Sequence, residues 1–250
     1  MRLEPRAHVP FWLNIAAPVA AIALAFALCA LLILWTGAPI LESYEALLRG
    51  AFGTTFAITE TLTRAAPLIF TGLAAAVAFR AKLWNIGAEG QLYAGALAAT
   101  WIGTGMITLP PYLMVPLLFL AGAVAGGLLL LVPVILKLKL KVDEVVTTLL
   151  LNFVVILFAN YLLFGPWKDP LAMGWPQAAP IIDEGVLSPL IPRMRLHSGL
   201  VWAVAFAVFA WAFIRFTKWG FQIRAVGHNP EAASFAGMPI GATILRTALL

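Results

Sequence analysis

From Gly90 to Leu136 the chain carries no Asp, Glu, Lys, Arg or His. That stretch is more than twice the roughly 20 apolar residues a helix needs to cross a hydrocarbon core of about 30 Å. It cannot be one helix. Pro110 and Pro111 supply the break, because proline lacks the amide proton and its ring clashes with the preceding turn. Two spans are predicted, near Gly90–Leu109 and Tyr112–Leu136. Over all 250 residues the hydrophobic share is 62% and the charged share 11%, against roughly 25% charged in an average soluble domain. A globule in water could not bury that much apolar surface. The chain reads as an all-α, polytopic transmembrane helical bundle.

The other spans follow the same arithmetic. Phe11–Trp35 is the first, and its uncharged run from Val9 to Leu41 far exceeds the h-region of a cleaved signal, so it is expected to stay as an anchor. Glu42, Glu45 and Arg49 mark a moderately amphipathic connector. A second span, about Ile58–Phe79, holds Glu60 and Arg64 at i, i+4, close enough to neutralise each other near the interface, and Pro67 should kink it. Asp143 can cap a fifth span ending near Phe164, and His197–Ile214 is the sixth. A seventh begins near Ile240 and the chain stops inside it. The expectation is one transmembrane domain over residues 1–250, with six full spans and a truncated C-terminal portion.

Charges set the orientation. With the N-terminus inside, inner loops hold Arg2, Arg6, Arg80, Lys82, Lys137, Lys139, Lys141, Arg215, Lys218 and Arg224, and outer loops hold Arg49, Lys168, Arg193 and Arg195. Ten against four obeys the positive-inside rule, and the reverse orientation breaks it at nearly every loop. The net charge of +5 is thus spent in short clusters between spans, as topology requires, and does not indicate nucleic acid. The outer loop from Gly165 to Leu196, rich in proline and tryptophan, is expected to be a short ordered segment on the membrane surface.

Enzyme signatures are missing. There is no GxxxxGK[ST], HExxH, CxxC or GxSxG. Cys29 is single, so neither a disulfide framework nor a metal-ligand spacing exists. His8, His197 and His228 lie far apart, at or outside span borders.

Three polar interruptions carry the functional interest. In Arg80–Gln91, Asn85, Glu89 and Gln91 stand close together in sequence, with Gly87 and Gly90 among them. Polar groups beside glycines at a span boundary fit a broken helix lining a solute path or gate. They fit an ordinary connector with Glu89 at a helix N-terminus equally well. In Lys137–Asn152, Asp143 and Glu144 open a helix on which Thr148 and Asn152 share one face. That face must meet other helices or water, as interhelical glue or as a pore lining. In Trp219–Pro239, Asn229 suits an N-cap, Pro230 the first helical position, Glu231 the dipole, and Gly237 the stop. The predicted helix, Pro230–Ala236, is too short to stand alone in water. It looks built either to dock into a partner's groove or to lie on the membrane. Gly122-x-x-x-Gly126 permits close helix contact and says little more.

Together these segments resemble the permease subunits of bacterial ABC importers of the simple-sugar and nucleoside branch, the inner-membrane translocator family. The phrases that carry the likeness are Leu83–Gln91, Asp143–Asn152 with Tyr161–Pro170, and Arg224–Ala233. The resemblance implies a subunit that carries a nucleoside or a simple sugar across a bacterial inner membrane without catalysing a reaction. Trp84, Asn85, Glu89, Gln91, Thr148 and Asn152 would then border the substrate path. Residues 218–240 would form a cytoplasmic coupling loop in which Asn229, Pro230, Glu231, Ala232, Ala233, Phe235 and Gly237 build the coupling helix. The implied partners are an ABC ATPase that hydrolyses ATP with Mg, a second permease subunit, and an extracytoplasmic substrate-binding lipoprotein. No cofactor is implied for this chain itself. The main rival, an ion-coupled secondary transporter, would be expected to carry ionisable groups deep in its spans, which only Glu60–Arg64 approaches.

Overall fold

A computed structural model describes residues 10–250. Arg2, Arg6 and His8 lie outside the described residues. The chain is all-helical, with no strand among the described residues beyond the isolated bridges Lys168–Ala178 and Pro189–His197. It forms two compact units, one ending at Thr61 and one of Leu62–Leu250.

In the first unit, α1 (Phe11–Trp35) has no buried residue, and its apolar side chains are exposed all round. A helix apolar on every side has lipid as its natural surrounding. The connector is itself a helix, α2 (Ile40–Phe52), steadied by a Glu45–Arg49 ion pair of 2.5 Å. The Tyr44 hydroxyl donates to the Phe26 carbonyl on α1 at 2.5 Å, and the two rings meet edge to face.

The second unit takes up most of α3 (Thr55–Arg80), followed by α4 (Ala88–Gly103), α5 (Pro111–Leu140), α6 (Glu144–Phe164), α7 (Gly199–Phe216), α8 (Lys218–His228), α9 (Pro230–Phe235) and α10 (Ile240–Ala248). Helices α1, α3, α5, α6 and α7 are long and apolar enough to cross a membrane. The third predicted span differs. Helix α4 has 16 residues and ends at Gly103 rather than Leu109, so it falls short of the usual spanning length. The cause is Gly105, whose φ of +99° ends the helix in a turn. The Gly103 carbonyl then accepts the amide of Ile182 at 2.9 Å.

Other boundaries follow local chemistry. Helix α5 starts at Pro111, as a first-turn proline favours, and α3 continues through Pro67. The segment between α6 and α7 is ordered by a 3-10 turn at Asp183–Gly185. It packs on protein at the ends of α4 and α5, where a Cβ on Gly185 would touch Ile181 and Leu118.

Helix α4 lies between α5 and α6, and glycine makes the approach possible. A Cβ on Gly95 would sit 3.0 Å from the Gly122 carbonyl, and one on Gly126 3.2 Å from that of Gln91. The Gly122–Gly126 pair therefore meets α4, as small-residue spacing allows. On the other side, a Cβ on Gly90 would lie 2.9 Å from Asn152 Cα, and one on Gly87 2.7 Å from the Thr148 carbonyl. One apolar cluster, with Ala78, Leu83, Leu130, Val134, Val226, Ala233, Ile244 and Ala248, joins α3, α5, α8, α9 and α10.

Candidate functional site

The end of α3 shapes everything that follows it. Lys82 adopts a left-handed φ of +53°. The Leu83 amide reaches back to the Ala78 carbonyl at 3.1 Å, and the Lys82 amide to that of Phe79 at 3.0 Å. This is the paired bonding of a Schellman cap, completed by the hydrophobic contact it favours, since Leu83 and Ala78 share one core cluster. After the cap, residues 83–87 have no regular secondary structure, and they cross toward α6 before α4 begins.

Along that crossing the polar side chains bond to one another. Asn85, 2% exposed, donates from Nδ2 to Gln91 Oε1 at 2.7 Å and accepts the Gly87 amide at 3.0 Å. Gln91 Nε2 donates to the Gly126 carbonyl of α5 at 3.1 Å. Helix α6 meets the segment with three side chains on one face. Glu144 accepts the Trp84 amide at 3.4 Å, Thr148 Oγ1 accepts that of Ile86 at 3.3 Å, and Asn152 Oδ1 accepts that of Gly90. Asn152 Nδ2 also reaches Glu89 at 3.5 Å.

The six residues predicted to border a path are thus gathered in one place, although they differ in exposure. Asn85, Thr148 and Asn152 are buried, Gln91 is half-buried, and Trp84 and Glu89 are exposed. Beside the cluster only about 10 Å³ of free volume remains, at the lower limit for a single water. Past Gln91 a larger cavity of about 230 Å³ opens between α3, α4, α5 and α10, bordered by Thr71, Gln91 and Thr247 as polar groups. It is smaller than the roughly 300–1,000 Å³ of typical ligand pockets.

The short helix predicted at Pro230–Ala236 is present as α9. Asn229 is its N-cap, with Oδ1 accepting the Ala232 amide at 3.1 Å, and Pro230 and Glu231 fill the first turn. A second Schellman cap closes it: Met238 bonds back to Ala233 at 3.0 Å, Gly237 to Ser234 at 2.9 Å, and Gly237 has φ +77°. The helix ends at Phe235, one residue before the predicted Ala236. Its two faces differ sharply. Ala233 is buried in the core cluster, whereas Glu231 and Ala232 are exposed and Phe235 is 99% exposed.

Sequence reasoning missed three features. Helix α8, which carries α9, was not foreseen; its apolar face buries Ile223 and Val226. Glu144 was seen only as a first-turn acid, but it also pairs with Lys137. The third is Gly227, where a Cβ would collide with the Arg80 carbonyl oxygen, so α8 packs directly on the end of α3. Its signal was a glycine inside an otherwise good helical pattern.

Five helices long and apolar enough to cross a membrane, with polar breaks at their borders, define a polytopic helical membrane protein. The chain belongs to the family described as "Branched-chain amino acid transport system / permease component", whose model matches residues 57–250. It is 38% identical over 248 residues to a glucose ABC transporter permease protein of Haloferax volcanii, covering 95% of this chain and 65% of that protein. It is 36% identical over 234 residues to a guanosine ABC transporter permease protein of Bacillus subtilis, covering 93% and 67%. A nucleoside ABC transporter permease protein of Lactococcus lactis subsp. cremoris is 33% identical over 236 residues, covering 91% and 65%. The chain thus spans about two thirds of the length of these relatives. No solved structure matches it.

Proposed function

We propose that this chain belongs to the membrane-spanning permease subunit of an ATP-driven importer for a nucleoside or a simple sugar. In this reading it sits in a bacterial inner membrane with its N-terminus and residues 218–240 in the cytoplasm. A second permease subunit encloses the path with it, and a substrate-binding lipoprotein delivers solute from outside. A separate ATPase uses ATP and Mg; this chain binds no cofactor of its own.

The observation that carries the reading is the two-sidedness of α9. A capped helix of six residues is held by one buried alanine while its phenylalanine projects bare into its surroundings. A single exposed phenylalanine is common on a protein surface; what favours a receiving groove is its place beside the exposed Glu231 on a helix capped at both ends. The names of the relatives support the substrate class, spanning glucose, guanosine and nucleosides among ABC transporter permeases.

When the ATPase closes on ATP, α9 moves with it, and the helices exchange outward-open for inward-open arrangements. Asn85, Gln91, Thr148 and Asn152 border the path and offer hydrogen bonds to solute hydroxyls or base edges, and Trp84 offers a stacking surface. Substituting Glu231 and Phe235 together should abolish ATP-driven uptake while leaving membrane insertion intact. Uptake of labelled nucleosides and pentoses by the reconstituted importer tests both points. Undiminished uptake in the double variant, or no ATPase co-purifying with the wild-type protein, refutes the reading.

A further inference from the structure

The cap at the end of α3 is the place where the elbow formed by α8 and α9, the polar crossing and two long helices meet. From the elbow, Gly227 of α8 presses on the Arg80 carbonyl, and the His228 carbonyl accepts Lys82 Nζ at 3.4 Å. Val226 of α8 and Ala233 of α9 share a core cluster with Leu83, which has no exposed surface. From the other direction, an ion pair holds the same turn. Lys137, in the last turns of α5, pairs with Glu144 in the first turn of α6. Lys137 Nζ also donates to the Lys82 carbonyl at 3.4 Å, and Glu144 Oε1 accepts the Trp84 amide at 3.4 Å.

The two charges therefore grip the backbone on either side of one plugged residue, Leu83. Glu144 is buried and Lys137 partly so. A pair this buried is poor as a source of stability, since desolvation offsets most of its attraction. Its geometry is better suited to positioning.

Resting on the importer reading above, we propose that residues 81–84 are the element through which α9 moves the polar crossing at 84–91, with Lys137 and Glu144 as its positioning residues. A displacement of α9 shifts α8 and Leu83 together, because they are packed as one cluster. The pair makes the backbone at Lys82 and Trp84 pivot about α5 and α6. The pull is thereby directed onto the Asn85–Gln91 segment, whose contacts with Thr148 and Asn152 must break and re-form.

The test is solute uptake per ATP hydrolysed by the full-length protein, in complex with its ATPase, in proteoliposomes. Glu144→Gln keeps an acceptor for the Trp84 amide and Lys137→Arg keeps a donor, so both should retain coupling. The charge swap Lys137→Glu with Glu144→Lys restores an ion pair, but it can serve neither backbone group. It should assemble and hydrolyse ATP while uptake per ATP falls by about fivefold or more, the lower range of allosteric couplings. Lys137→Met with Glu144→Leu, an apolar replacement that such sites tolerate, should do the same and stands in if the swap does not assemble. Full coupling in either double variant overturns the proposal. A wild-type complex without ATP-driven uptake refutes instead the importer reading on which it rests.

Discussion

Gly90→Ala and Gly72→Ala make the same chemical change in two helices and should shift stability in opposite directions. A methyl group at Gly90 would sit 2.9 Å from both Cα and Oδ1 of Asn152, and a backbone atom cannot yield as a flexible side chain can. Overpacking of this kind costs about 1–3 kcal/mol. Pushing α4 off α6 also weakens the Gly90 amide bond to Asn152, worth about 0.6 kcal/mol on average between membrane helices. Against this, Gly to Ala gains at most about 1 kcal/mol of helix propensity in an interior turn, and less in the first turn, where Gly90 lies. The net is a loss near 2 kcal/mol, or a fall of about 4–8 °C in unfolding temperature. At Gly72, in α3, the added methyl meets nothing within 4 Å. Only the propensity gain remains there, a rise of up to about 2–4 °C. Heating the purified protein in detergent while following fluorescence of its nine tryptophans reads both shifts. If Gly90→Ala leaves the transition unchanged or raises it, the close packing of α4 on α6 is wrong.

Two further outcomes test the elbow. Asn229→Ala removes the N-cap of α9 at a cost of about 1 kcal/mol; in a helix this short, hydrogen exchange of the Ala232 and Ala233 amides should speed up several-fold, and unchanged exchange refutes the cap. Gly227→Ala should destabilise more than Gly90→Ala, because its methyl meets the Arg80 carbonyl head-on; a milder effect in the same melting assay means that α8 does not bear on the end of α3.

Some of this structure was legible because single residues dictate it. Asp143, Asn229 and Pro230 act within one turn of chain, and the structure finds each where capping chemistry puts it. The long apolar runs likewise force helices wherever lipid is the solvent. Helix α4 escaped because apolar length alone does not register Gly105, a backbone position that ends a helix without altering hydropathy. The cluster of Asn85, Gln91, Thr148 and Asn152 was half legible. The shared face of Thr148 and Asn152 follows from helical spacing, but the partners that face would meet depend on how α4 packs between α5 and α6. The grip of Lys137 and Glu144 on the α3 cap was illegible for the same reason. Each residue reads locally as a helix-end charge suited to the dipole, and only the docked turn gives the pair its other contacts.

The polar crossing is internally satisfied, and that bears on how it could work as a gate. Buried amides that lose their partners cost about 1–3 kcal/mol each, so pulling residues 84–91 away from α6 into apolar surroundings would be expensive. Replacing the same partners one for one with solute hydroxyls or water exchanges hydrogen bonds of similar worth, and the net change is small. A gate of this construction opens cheaply only when something polar enters with it. Closure then needs no separate latch, since departure of the solute leaves Asn85 with Gln91, Gln91 with the Gly126 carbonyl, and Thr148 and Asn152 with the Ile86 and Gly90 amides as the nearest partners. Under the proposed function, this exchange ties movement of the crossing to the presence of a hydroxyl-rich solute. The docking helix would then have to supply the work of realigning helices rather than the cost of uncovering buried polar groups.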